Sequence, residues 1–97
     1  MSLENIRRIL KKSKSKIENL FDVKELGIFG SYVRGEQKKN SDLDVLVEFT
    51  RDRKTFDNYM NLKFYLEKLF HRKVDLVMKD ALKARIKEQV LADVIYA

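Results

Sequence analysis

The chain has no cysteine, no proline and a single histidine among its 97 residues, and each shortage removes a class of chemistry. Without cysteine there is no disulfide, no thiolate zinc site and no cysteine nucleophile. A metal would have to be held by oxygen atoms or by the lone His71. Uninterrupted apolar runs are only a few residues long, too short for a membrane span, and the first residues lack the basic-then-apolar layout of a secretory signal. The expected location is the cytoplasm. Glycine is scarce as well, and Gly27, Gly30 and Gly35 all fall in one short stretch. Backbone freedom is concentrated at that place.

What is present suits a folded protein with a heavily charged surface, since apolar residues make up 44% and charged residues 37%. A chain of 97 residues can bury one small core, so residues 1–97 are expected to form a single domain. The net charge of +6 is unevenly placed. Residues 1–20 carry six basic side chains (Arg7, Arg8, Lys11, Lys12, Lys14, Lys16) against two acidic, whereas residues 21–50 carry four basic against six acidic. A basic body around an acidic segment suits uptake of a divalent cation followed by an anionic nucleotide. Taken alone, the N-terminal basic cluster reads as a solvated helix face; a nucleic-acid surface is the competing reading.

The hydrophobic pattern gives an order of elements. Leu3, Ile6, Leu10, Ile17 and Leu20, with Ser13 filling the gap, recur at three- and four-residue steps and predict an amphipathic helix over residues 3–20. Residues 24–29 read as a strand stopped by Gly30, and residues 36–41 as a polar loop. From Asp42 to Phe49 the alternation is clean, with Leu43, Val45, Val47 and Phe49 facing the helices and Asp42, Asp44, Leu46 and Glu48 facing away. Thr55 is placed to cap a helix whose Phe56, Tyr59, Met60, Phe64, Leu66 and Phe70 are expected in the core. Residues 73–78 alternate again, and Asp80 is expected to cap a last helix through Leu82, Ile86, Val90 and Leu91. Val94, Ile95 and Tyr96 would add a strand or pack on a neighbour. The order is α-β-α-β-α-β-α, a small mixed sheet of three or four strands flanked by helices. A strand, long helix and strand make a right-handed crossover, so the second and third strands should run parallel and the first antiparallel to the second.

The chemistry lies in one run, Gly30-Ser31 followed by Asp42-Leu43-Asp44. Residues i and i+2 of a strand project the same way with α-carbons roughly 6.5 to 7 Å apart, so the Asp42 and Asp44 carboxylates can converge on ions. Asp75 is the candidate third ligand, because a charge in an otherwise apolar strand is costly unless something satisfies it. Mg2+ accepts such oxygen donors, and two ions about 3.5 to 4 Å apart could bridge phosphate oxygens and activate a hydroxyl. The amides after Gly30, the Ser31 hydroxyl and the positive end of the short helix can hold the β- and γ-phosphates. Arg34 either reaches phosphate or acceptor or pairs with Glu36 or another surface acid, and both readings stand. Ser41 reads as a loop hydroxyl positioning Asp42, His71 as a solvated helix-end residue, and Tyr32 and Tyr65 as packing residues.

With Gly30-Ser31, Arg34-Gly35, Ser41-Asp42-Leu43-Asp44 and Val74-Asp75-Leu76-Val77 in view, the chain resembles the minimal nucleotidyltransferases of the DNA polymerase beta superfamily. The resemblance covers nearly the whole chain; Val33, where relatives often have alanine, is the visible departure. It implies an α/β (α+β) polymerase-beta-like nucleotidyltransferase fold, metal-ligand roles for Asp42, Asp44 and Asp75, and nucleotide contacts from Gly30, Ser31 and Arg34. Within the superfamily it is similar to antitoxins paired with HEPN-domain toxins. That likeness implies Mg2+-dependent transfer of AMP from ATP to a tyrosine of the toxin, which silences it. A homo-oligomer or hetero-oligomer would follow from so small a domain needing a partner. The alternatives are a non-catalytic antitoxin that acts by binding and nucleotidyl transfer to an RNA end.

Overall fold

A computed structural model describes residues 1–97. Helix α1 runs from Leu3 to Phe21, capped by Ser2, whose hydroxyl accepts from the Asn5 N–H at 3.2 Å. It closes on Asp22, which takes the left-handed conformation at φ 54° and turns the chain into strand β1, Val23–Phe29. A single helical turn, α2 (Ser31–Arg34), leads through the polar loop to β2, Leu43–Phe49. Helix α3 (Phe56–Phe70) carries the chain to β3, Val74–Met78. A 3-10 turn at Lys79–Ala81, helix α4 (Ala84–Asp93) and the two-residue strand β4 (Ile95–Tyr96) complete it.

The strands lie in the order β3-β2-β1-β4. β2 and β3 are parallel, as the intervening helix requires, and β1 pairs antiparallel with both β2 and β4. The terminal segment thus adds a strand. Its close approach depends on Gly27, where a Cβ would meet Val94 Cγ2 at 2.7 Å and the Ile95 carbonyl oxygen at 3.0 Å.

Helices α1 and α3 cover one face of the sheet. The core of 16 residues draws Ile6, Leu10 and Ile17 from α1, Leu62, Leu66 and Phe70 from α3, and Leu43, Val45, Val47 and Phe49 from β2. The alternation expected of β2 is therefore present, and it turns Asp44 and Glu48 to the other face. Leu46 shares that face yet is buried, and like Val90 of α4 it lies outside the main core. No helix is long and apolar enough to cross a membrane.

Three expectations fail for identifiable reasons. The buried stripe of α3 is Asn58, Leu62, Leu66 and Phe70, a strict four-residue step, so Phe56 and Phe64 fall on the opposite side and are 76% and 56% exposed. Asn58 owes its place to its amide, which donates to the carbonyls of Phe21 (2.7 Å) and Arg53 (3.0 Å). Asp80 does not cap α4; it sits in the 3-10 turn paired with Lys54, and α4 starts after Lys83 with no side-chain cap. Leu20 is exposed at the end of α1, where Phe21 packs in its stead, edge-on to the Tyr65 ring at 5.3 Å.

Candidate active site

Parallel pairing of β2 with β3 sets Leu43 beside Val74 and Asp44 beside Asp75, so the two acids stand level on adjacent strands. Antiparallel pairing of β1 sets Phe29 opposite Asp44, which brings the turn at Gly30 against the same carboxylate. The contact is tight. Gly30 has φ 79° and ψ −148°, a region closed to residues with a side chain, and a Cβ there would overlap Asp44 Oδ2 and lie 2.9 Å from Asp44 Cγ. The glycine of the Gly-Ser pair therefore serves the acid as well as the turn.

The electrostatics of the cluster centre on Asp44. Its carboxyl is pushed up to about 6, first by burial and then by the charge of Asp75, a hydrogen bond with Asp75 and the charge of Asp42, while the Ser31 backbone N–H opposes them. Excess negative charge is gathered at one point. Asp75 is not the buried residue its apolar strand suggested. β3 is an edge strand, and Asp75 projects from its open face into solvent. Asp42 lies one residue ahead of β2 and is exposed too.

No three His, Cys, Asp or Glu side chains come close enough to cage an ion by themselves. Asp44 and Asp75 are the near pair, and Asp42 stands off. The donor set is nonetheless carboxylate oxygen throughout, which suits a hard divalent cation, and the upward pull on Asp44 is the kind of strain that a cation relieves.

Helix α2 is one turn long, ended by Gly35, so it has no sizeable dipole, and its Val33 and Arg34 N–H groups are taken by the Gly30 carbonyl at 3.0 and 3.1 Å. Arg34 is engaged by Glu36 at 2.7 Å and by Asp93 at the end of α4 at 3.1 Å. Ser41 accepts from the Lys38 N–H at 2.8 Å and steadies the loop ahead of Asp42. Tyr32 is buried, and His71 is exposed as the C-cap of α3 with φ 53°. Sequence reasoning missed Arg72, whose guanidinium lies over the Tyr32 ring at 5.4 Å and donates to the Tyr32 hydroxyl. The basic run Arg72-Lys73 directly ahead of the Asp75 strand was the available signal.

A mixed sheet backed by helices on one face, with acids on its open face beside a glycine turn, is the polymerase-beta-like nucleotidyltransferase fold. The family model described as a nucleotidyltransferase domain matches residues 4–97, and the chain belongs to that family. It is a nucleotidyltransferase. Over 96 residues it is 45% identical to the protein adenylyltransferase MntA of Thermococcus cleftensis, covering 99% of this chain and 96% of the relative. A solved structure of a candidate minimal nucleotidyltransferase superposes with a TM-score of 0.83 at 37% identity, covering 98% of this chain and 95% of that one. The MNT antitoxin complex with a tri-AMPylated HEPN toxin from Shewanella oneidensis gives a TM-score of 0.65 at 18% identity, over 92% of this chain and 69% of that chain. At that identity the likeness is one of fold.

Proposed function

We propose that this chain is a Mg2+-dependent protein adenylyltransferase, acting as one domain, that moves AMP from ATP onto a tyrosine of a HEPN-domain toxin and so neutralises it. The observation that carries the reading is the level pairing of Asp44 with Asp75 beside Gly30 and Ser31. The 45% identical adenylyltransferase supports adenylyl as the group transferred, and the antitoxin complex of like fold supports a HEPN protein as acceptor.

Asp42, Asp44 and Asp75 would hold the cation, which when bound supplies Lewis-acid polarisation of the α-phosphate and neutralises the leaving group. The Ser31 hydroxyl holds the triphosphate tail, since the Ser31 N–H is turned to Asp44 and the Val33 and Arg34 N–H groups to the Gly30 carbonyl. The tyrosine oxygen forms a bond to the α-phosphorus as the bond from that phosphorus to the bridging oxygen breaks. Pyrophosphate departs with the electron pair, and the phenolic proton passes to an Asp75 carboxylate oxygen, exposed on the side from which the acceptor comes. Gly30 keeps Asp44 seated against the turn during the exchange.

The test is incubation of the chain, its toxin partner and labelled ATP with Mg2+. Label should appear on the toxin, and Asp42→Asn with Asp44→Asn should abolish both label and neutralisation. Neutralisation that survives in the double variant without label would overturn catalysis as the basis of the antitoxin effect.

A further inference from the structure

A basic cleft of about 420 Å3 opens where the loop ahead of β2 meets the turn ahead of β3. Its walls carry Lys39, Arg72 and Lys73, the His71 imidazole and Asp42, and no apolar residue lines it. The walls are joined by the Leu43 N–H, which donates to the Lys73 carbonyl at 3.0 Å. None of the three cations is in an ion pair, whereas Arg34, Arg53, Lys54 and Lys79 all are. Arg72 is held against Tyr32, to whose hydroxyl one of its terminal nitrogens donates; its Nε is buried without an acceptor, and the other terminal N–H groups keep their donors for an anion.

Position gives the cleft a role. In an in-line displacement the attacking oxygen and the departing pyrophosphate lie on opposite sides of the phosphorus. With the triphosphate tail at Gly30 and Ser31, at the end of β1, the acceptor must arrive from the β2–β3 side of the acids. Asp42 belongs both to the carboxylate cluster and to the cleft wall, so the cleft adjoins the acids on that side.

We infer that this cleft docks an acidic segment flanking the acceptor hydroxyl of the protein partner, an inference that rests on the adenylyl-transfer reading above. Carboxylates match the Arg72 fork and the two lysines. A single-stranded nucleic acid fits less well, because its bases need stacking platforms and the only ring in the cleft is that of His71. The cleft selects the acceptor while the glycine turn selects the donor.

The experiment compares the full wild-type chain with Lys39→Gln/Lys73→Gln, using purified unmodified HEPN toxin as acceptor and intact mass as readout, at saturating ATP and Mg2+. The KM for toxin should rise about tenfold, with the KM for ATP unchanged. The wild-type rate should also fall more steeply with added salt than the variant's. Lys39→Arg/Lys73→Arg should restore the KM, and a defect equal to that of the glutamine variant would overturn the role of charge. An unchanged KM for toxin would remove the cleft from acceptor docking and leave adenylyl transfer intact; a wild type that transfers no AMP would overturn the enzymatic reading first. A short RNA that accepts AMP from the wild type and not from the glutamine variant would overturn the protein occupant.

Discussion

Replacing Asp44 by asparagine should make the metal-free protein more stable while destroying its activity. The Asp44 carboxyl is raised from an ordinary 3.8 to about 6, chiefly by burial and then by Asp75. At face value that rise corresponds to about 3 kcal/mol of cost for the ionised form. Asp44 is only partly buried, so solvent screening reduces the cost to roughly 1 to 2 kcal/mol. A raised carboxyl is one whose protonated form the fold prefers. The penalty is therefore complete above about pH 6, shrinks as the pH falls through that value, and is gone below 3.8. Asparagine removes the charge and keeps an oxygen to accept from the Ser31 N–H. For a domain of this size each kcal/mol moves the Tm by about 4 to 8 °C. Thermal melts in EDTA at pH 8 should place Asp44→Asn above wild type by about 4 to 16 °C, with the gap closing at pH 4. Mg2+ should then raise the wild-type Tm and leave the variant's where it was. A variant no more stable than wild type at pH 8, or a gap that ignores pH, would refute the claim that charge has been gathered here at the fold's expense.

Asp75→Asn should lower AMP transfer by about two or more orders of magnitude with the Tm no lower than wild type, because Asp75 is exposed and its charge adds to the cost of ionising Asp44; normal turnover in a labelled-ATP assay would remove it from the site. Gly30→Ala should cost about 2 kcal/mol or more in urea unfolding, from the overlap with Asp44 and the strain at φ 79°, and an unchanged midpoint would show that the turn relaxes freely. Asn58→Ala strips the carbonyls of Phe21 and Arg53 of their shared donor and should cost about 1 to 3 kcal/mol by denaturant melt; a neutral result would mean that water replaces the amide.

How far the residues announced this arrangement varied with the physics in play. The β2 strand was legible because its helix-facing side is apolar and buried throughout while Asp44 and Glu48 flank Leu46 on the other, so its period-two pattern has only one solution. The parallel β2–β3 pair was legible from the length of helix between them, and the Gly30-Ser31 turn from its strand and glycine. Helix α3 was legible in its Thr55 cap and in the burial of Leu66 and Phe70 but not in its full facing, since apolar residues occur on both its sides and only packing reveals that Leu62, rather than Phe56 and Phe64, enters the core. Asp75 was given the right face of its strand and the wrong environment: strand order decides whether an apolar run is central or at an edge, and no local pattern encodes it. The Gly30–Asp44 contact was hidden for the same reason, being a product of register between strands separated by a loop.

The Arg34 guanidinium clasps Glu36 next to the glycine turn and Asp93 at the far end of the chain's last helix. Any anion that drew Arg34 toward the turn would have to win it from Asp93, so occupancy at one end of the chain would loosen the anchorage of the other. Thermodynamic reciprocity runs the exchange backwards as well: a protein that grips α4 and lifts Asp93 away would hand the turn a stronger hold on its guest.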